Sequence, residues 1–329
     1  MKQRVAIALT FLLPLWTGGC IVYGQTGTTG YDYLRLPISS HAAATGGNTV
    51  SLIEDDATLL YTNPALLSNV SDRTLSLTAM SYMSDSWLMS VAFVKTAGER
   101  GTWAVGAQVL TYGSMTETTA DFQETGTFSA TDFSLQGGYT YLLSDYWSGG
   151  VQGKVLLSNY GDYSATALAV DLGLNYYDEA HGLSMSVVAQ NVGGEVSSLY
   201  ETARKLPFNL AWGISYEFAN APIRLSITID DLTHWNKGYY SVNGEELSSG
   251  ERFSNHFSLG ADVFLSSAIY VAVGYNFRRA YEMKVQDSSH WAGFALGAGL
   301  NIKRFKLGVG YGKYHIASSS LTANVAYTF

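Results

Sequence analysis

The sequence predicts an all-β transmembrane fold, an antiparallel β-barrel of about 14 strands with an N-terminal plug segment. Three observations predict it. Residues 72–329 break into period-2 segments, charges in those segments keep to one parity, and short and long links alternate between them. Composition agrees: 14% of the 329 residues are charged, 13% are aromatic, and there are 34 Gly and 23 Tyr, a mixture suited to a sheet facing lipid and headgroups. Beyond the first residues no apolar stretch reaches the ~20 residues a membrane helix needs, so any span is made of strands.

The segments are roughly ten residues long, the length of a tilted membrane strand. Fourteen are counted, near 72–84, 86–97, 101–114, 130–143, 147–159, 164–177, 182–192, 208–218, 222–233, 252–264, 268–279, 291–302, 305–315 and 319–329. The alternation in 222–233 is typical: Ile223, Leu225, Ile227 and Ile229 share one face, and Arg224, Ser226, Thr228 and Asp230 the other.

Soluble sandwiches also alternate, so the placement of charge discriminates. With the greasier face outward, Asp132, Lys154, Asp171, Glu217, Arg224, Asp230, Asp262, Arg278 and Lys306 fall inward. Lys95, Asp231, Arg279 and Lys313 fall outward but near segment ends, where water reaches them. A lipid-facing midplane Arg or Lys costs about 2–4 kcal/mol, which keeps cations off the outward face there. Trp87, Trp147, Trp235 and Trp291 lie near segment ends, as interfacial girdles require, and Tyr327 and Phe329 end the chain as an aromatic assembly signal. Links near 98–100, 144–146, 178–181, 219–221, 265–267 and 303–304 are tight, whereas those at 115–129, 193–207, 234–251 and 280–290 are long. Three links on the long side, near Asp85, 160–163 and 316–318, are also short, but none of the six on the tight side is long. Both chain ends then belong on the short-turn, periplasmic side.

Before the barrel, residues 1–24 read as a signal peptide: Lys2 and Arg4, an apolar stretch from Val5 to Trp16, and Val22 and Gly24 at a cleavage site. The competing reading is a lipoprotein signal ending at Cys20. Cys20 is the single cysteine, so cleavage after Gly24 leaves no thiol and no disulfide. Removal of Lys2 and Arg4 takes the formal charge from −8 to −10, which argues against nucleic-acid binding.

Residues 25–71 do not alternate, and the barrel interior predicted beside them is lined by small residues, among them Gly173, Gly213, Gly274, Gly297, Gly299, Gly308, Gly310 and Gly312. The segment is expected to enter and plug that lumen, with helical turns at Ala42–Ala44 and Ala57–Tyr61 and Asp55 or Asp56 as a cap. A disordered tail is the competing reading, opposed by Tyr31, Tyr33, Leu34, Leu36, Ile53, Leu59, Leu60, Leu66 and Leu67.

Its motifs are Tyr31-Asp32-Tyr33-Leu34-Arg35-Leu36-Pro37, Ala42-Ala43-Ala44 before Gly46-Gly47-Asn48, Asp55-Asp56, and Asn63-Pro64-Ala65-Leu66-Leu67. On these residues the segment resembles the N-terminal region of the PorQ family of the type IX secretion system, related to the PorV family and to FadL-like hydrocarbon transporters. His41 stands where relatives commonly carry Arg, and Thr45 where they carry an apolar residue. The resemblance implies an outer-membrane barrel of the cell-surface attachment complex. It would hold the soluble PorZ component at the surface, beside PorU and PorV, while cargo is linked to lipopolysaccharide.

Chemical motifs are scarce. His41, His181, His234, His256, His290 and His315 have no metal-ligand spacing, and no HExxH, GxSxG or Walker loop occurs. Glu54-Asp55-Asp56 lacks the spaced ligands of a calcium loop, and no cofactor is expected. A lipase-like serine–histidine pair at His234 or His290 has no serine placed beside it. The best partner-binding candidates are Trp235, Tyr239 and Tyr240, which read equally as girdle residues. Three functions remain as expectations: a non-enzymatic surface anchor in contact with outer-membrane lipid, a FadL-like transporter of a hydrophobic small molecule, and a diffusion porin.

Overall fold

The computed structural model describes residues 30–83, 85–118, 121, 123–198, 204–235, 247–282, 291–315 and 318–329. Its strands are β1 (Thr74–Ser81), β2 (Trp87–Ala97), β3 (Gly101–Thr118), β4 (Glu124–Leu142), β5 (Trp147–Tyr160), β6 (Tyr163–Asp178) and β7 (Leu183–Ser197). They continue as β8 (Asn209–Glu217), β9 (Ile223–Ile229), β10 (Phe257–Phe264), β11 (Ile269–Asn276), β12 (Phe294–Ile302), β13 (Phe305–His315) and β14 (Ser318–Thr328). Each strand pairs antiparallel with its sequence neighbours, and β1 closes on β14 from Thr74↔Thr328 to Ser81↔Leu321, so the sheet is a closed barrel of 14 strands. Closure leaves the barrel wall no free edge. Among the described residues no helix is long and apolar enough to cross a membrane.

Burial is inverted relative to a water-soluble sheet. In β9, Leu225 and Ile227 are exposed while Arg224, Ser226 and Thr228 are buried on the inner face. Asp132, Lys154, Asp171 and Asp262 are likewise buried inward. The exposed belt includes Leu77, Val91, Val105, Leu135, Leu172 and Val309, a surface that only lipid or detergent solvates well. Two of these inward charges pair with each other: Lys154 Nζ is 2.6 Å from Asp171, which accepts the Asn191 N–H at 2.7 Å, where Asn191 adopts a left-handed φ of 58° at a bulge.

Several expected boundaries move. The segments expected at 252–264 and 268–279 begin and end as helix: Ser249–Ser254, with a Ser248/Glu251 capping box, and Phe277–Glu282. Asn276 Oδ1 accepts the Arg279 N–H, so strand pairing gives way to a capped turn. Arg278 and Arg279 are therefore helical, with no strand parity. The expected long link at 115–129 is largely a ribbon of β3 and β4, and β7 runs on to Ser197. Asp231, expected to face outward, has a left-handed φ of 54° that turns its carboxylate in, where it is fully buried.

The N-terminal end of the chain lies outside the described residues, and the first described residue sits at the long-link end. The Gly30 N–H donates to Lys205 in the long link between β7 and β8, whereas the Phe329 N–H donates to Arg73 beside the short turns. Residues 30–70 then pass through the lumen, their turns packing on β1–β6 and the Ser40–Ala44 helix on β11–β14.

Candidate functional site: the lumenal segment and the mouth

The lumenal segment is built from short capped turns. Ser39 caps the Ser40–Ala44 helix by accepting from the His41 and Ala42 N–H groups. Asp56, not Asp55, caps Ala57–Tyr61 through the Thr58 N–H at 2.8 Å. Asn63 caps Pro64–Asn69 through the Ala65 N–H at 3.0 Å, with Pro64 in the first turn where its missing N–H is harmless. Asn63 Nδ2 also donates to Val50 O at 2.9 Å, tying two passes of the segment together.

On the β1–β6 side the segment buries hydrocarbon. Leu60, Leu66 and Leu67 are fully buried in one cluster with Met80, Leu88, Leu110 and Leu156 of the wall. Tyr61 places its ring there and donates its hydroxyl to backbone oxygens of Val91 (2.6 Å) and Ala107 (3.0 Å).

On the β8–β14 side the segment lies backbone-on-backbone against glycines and is held by charge. A Cβ at Gly274 would overlap the backbone of Thr45 and Gly46, and one at Gly310 the Ser40 carbonyl. Gly46 and Gly47 have φ of 100° and 122°, values that favour glycine, and Asn276 Nδ2 donates to Gly46 O at 2.9 Å. His41 stacks on Tyr270 with centroids 4.4 Å apart, and its ring nitrogens reach Asp262 Oδ1 at 2.7 Å and Glu54 Oε1 at 3.0 Å. Arg224 Nε completes the group on Asp262 Oδ2 at 2.8 Å and donates from Nη1 to Ile53 O at 3.0 Å. Burial opposes the imidazolium, but Glu54 and Asp262 outweigh it and push the His41 pKa up to about 9. The two flanking carboxylates thus favour the imidazolium form of His41.

The remaining expected site residues separate. Asp55 accepts from the Ser71 N–H and hydroxyl and pairs with Lys306; burial raises its pKa, but these partners overcome that and leave it below the usual range. Glu54, Asp55 and Asp56 thus point to different partners, and among the described residues no group of three or more His, Cys, Asp or Glu is arranged to hold a metal. Pro64 and Ala65 lie against Gly150, with their carbonyls accepting from Thr140 and Ser148.

At the mouth, Asn48 Nδ2 donates to Asp230 (2.8 Å) and Gln190 (3.3 Å), and Arg35 and Arg278 both reach Asp231 Oδ2, at 3.2 and 2.7 Å. Trp235 is exposed, packs in a tilted ring contact on His256 with centroids 3.9 Å apart, and neighbours the exposed Phe253. Tyr239 and Tyr240 lie outside the described residues. Phe253 escaped the sequence reading because it sits in the helix taken for a strand; a Ser-x-x-Glu signal at 248–251 marked that helix. His234 contacts Thr233 and Asp231. At the opposite end Phe329 is exposed and packs edge-on against Tyr327, whose ring meets Phe305.

No family model and no curated protein matches this chain. Solved structures do. The toluene transporter TodX of Pseudomonas putida covers 89% of this chain and 98% of its own at 12% identity, with a TM-score of 0.58. The toluene transporter TbuX of Ralstonia pickettii covers 90% and 98% at 14% identity and 0.57. A FadL homologue of Pseudomonas aeruginosa covers 88% and 98% at 11% identity and 0.52. The fold is therefore that of a FadL-like outer-membrane barrel.

Proposed function

We propose that this barrel is an outer-membrane surface anchor of the PorQ kind, holding a soluble PorZ-like protein at the mouth in the attachment complex, near PorU- and PorV-like components. The observation that carries the reading is the packed lumen: glycines at 150, 173, 213, 274 and 310 are in contact with residues 40–65, leaving the segment as a plug wedged against the wall. A barrel so filled is suited to presenting a rigid rim. Trp235 and Phe253, large side chains exposed at that rim, are of the kind that anchor interfaces. The N-terminal motifs that resemble PorQ support the same reading.

A second reading, transport of a hydrophobic small molecule, is favoured by the fold similarity to the two toluene transporters and the FadL homologue, and the structural comparisons lean toward it. It requires the plug to move. Affinity isolation of the full chain from outer membranes in mild detergent separates the two. Recovery of a stoichiometric soluble protein supports the anchor; recovery of lipid-like ligand alone, with uptake of toluene into proteoliposomes, supports transport.

A further inference from the structure

The β2–β3 ladder ends at Trp87↔Thr111 and the β4–β5 ladder at Ala130↔Tyr160, yet β3 and β4 continue to pair with each other from Ser114↔Ser129 to Thr118↔Glu124. The result is a two-stranded ribbon standing about 17 Å beyond the wall, at roughly 3.4 Å per residue. On the β4 side, the turn between β5 and β6 reaches Ser129, whose carbonyl accepts the Gly161 N–H, and flanks Phe128, where a Cβ on Gly161 would come into contact. Residues 124–128 are all exposed, and among the described residues no strand pairs with their outer backbone edge. On the β3 side Asp85 approaches Gly113, and Met115 is half-buried.

An unpaired edge is a template for another strand, and proteins commonly guard such edges with Lys or Pro. This one has neither. The chain contains no Lys, Arg or His between residues 101 and 153, and the ribbon carries Glu117, Asp121 and Glu124. Like charge repels a second copy of the same ribbon, while a strand bearing Lys or Arg gains both ladder hydrogen bonds and cross-strand ion pairs. Thr116, Thr118, Thr125 and Thr127 supply β-branched residues suited to the added strand.

From these observations we infer that the β4 edge at 124–128 docks an extended cationic segment of a soluble protein by strand addition. The inference rests on the surface-anchor reading and names its contact. The probe is a fluorescent ten-residue peptide of alternating Lys and Val, titrated onto the full chain in neutral detergent. A matched peptide N-methylated at alternate residues keeps the charge and loses ladder donors. Saturable binding that falls at least tenfold with the methylated peptide, and again with Glu117→Lys/Glu124→Lys, is expected. Equal binding of the methylated peptide, or of the double variant, overturns strand addition at this edge. In intact outer membranes, a soluble protein retained by the wild type and lost by the double variant supports the edge. Retention by both overturns it while leaving the anchor reading standing; retention by neither overturns both. Barrel closure in the variant is checked by heat-modifiable gel mobility.

Discussion

The two sides of the lumen hold the same segment by different physics. Against β1–β6 the attachment is mainly hydrocarbon, with Leu60, Leu66 and Leu67 sealed among wall side chains, although Gly150 and Gly173 there also lie close against residues 63–65. Against β8–β14 it is close backbone contact on glycine plus a four-residue charge group, Glu54, His41, Asp262 and Arg224. Hydrophobic contact is non-directional and tolerates small adjustments. Glycine contact and buried charge are exacting, since a single Cβ or a missing carboxylate has nowhere to be absorbed. The apolar side supplies most of the adhesion, while glycine contacts on both sides and the charge group on one set the register of the segment in the barrel.

The largest break in this comparison is expected from Gly274→Val, whose side chain meets the backbone of Thr45 and Gly46. Ordinary overpacking costs about 1–3 kcal/mol, and here backbone cannot swing aside. Hydrogen exchange across 40–50 should lose its protection, whereas Gly153→Val, which faces open space, should leave it unchanged. Next comes Asp262→Ala, which strips both His41 and Arg224 of a buried partner and should cost about 3–5 kcal/mol. Protection should fall at 40–54 and persist at 57–67. Leu66→Ala is the converse probe, expected to cost about 2–5 kcal/mol and to loosen 57–67 first.

A pH titration sharpens the same contrast. The folded pKa of His41, about 9, lies above its ordinary value, so its stabilisation is complete below about 6.5 and is lost as pH rises through 9. Between pH 7 and 10 exchange at 40–48, corrected for intrinsic rate, should increase more than at 57–67, and His41→Gln should abolish the difference. Smallest is Asp55→Asn at the partly exposed Lys306 pair, expected to shift denaturant unfolding by less than about 1 kcal/mol.

Much of the fold was legible because each strand reports its own environment. Residues 223–229 alternate so cleanly that the lipid face is identified without any partner strand. Residues 252–256 and 277–279 misled because their mixture of aromatic and charged side chains fits a short helix as well as a strand end, and capping side chains at Ser248 and Asn276 decide between them. The plug motifs were visible as non-alternating sequence, whereas the division of Glu54, Asp55 and Asp56 among three partners was not. His41 shows why. Its chain neighbours are Ser40 and Ala42, and nothing local marks it as the cation that meets Asp262, 221 residues away.

By itself the sequence determined strand number, the face each strand turns to lipid, and the presence of a segment that belongs to no strand. These follow from local spacing, since side-chain parity in a strand is a two-residue property. Tertiary structure alone decided which glycine receives which turn, which carboxylate holds His41, and that the described chain starts at the mouth end. Those depend on closing β1 onto β14, which brings residues far apart in the chain around one axis, and no local pattern encodes who meets across it.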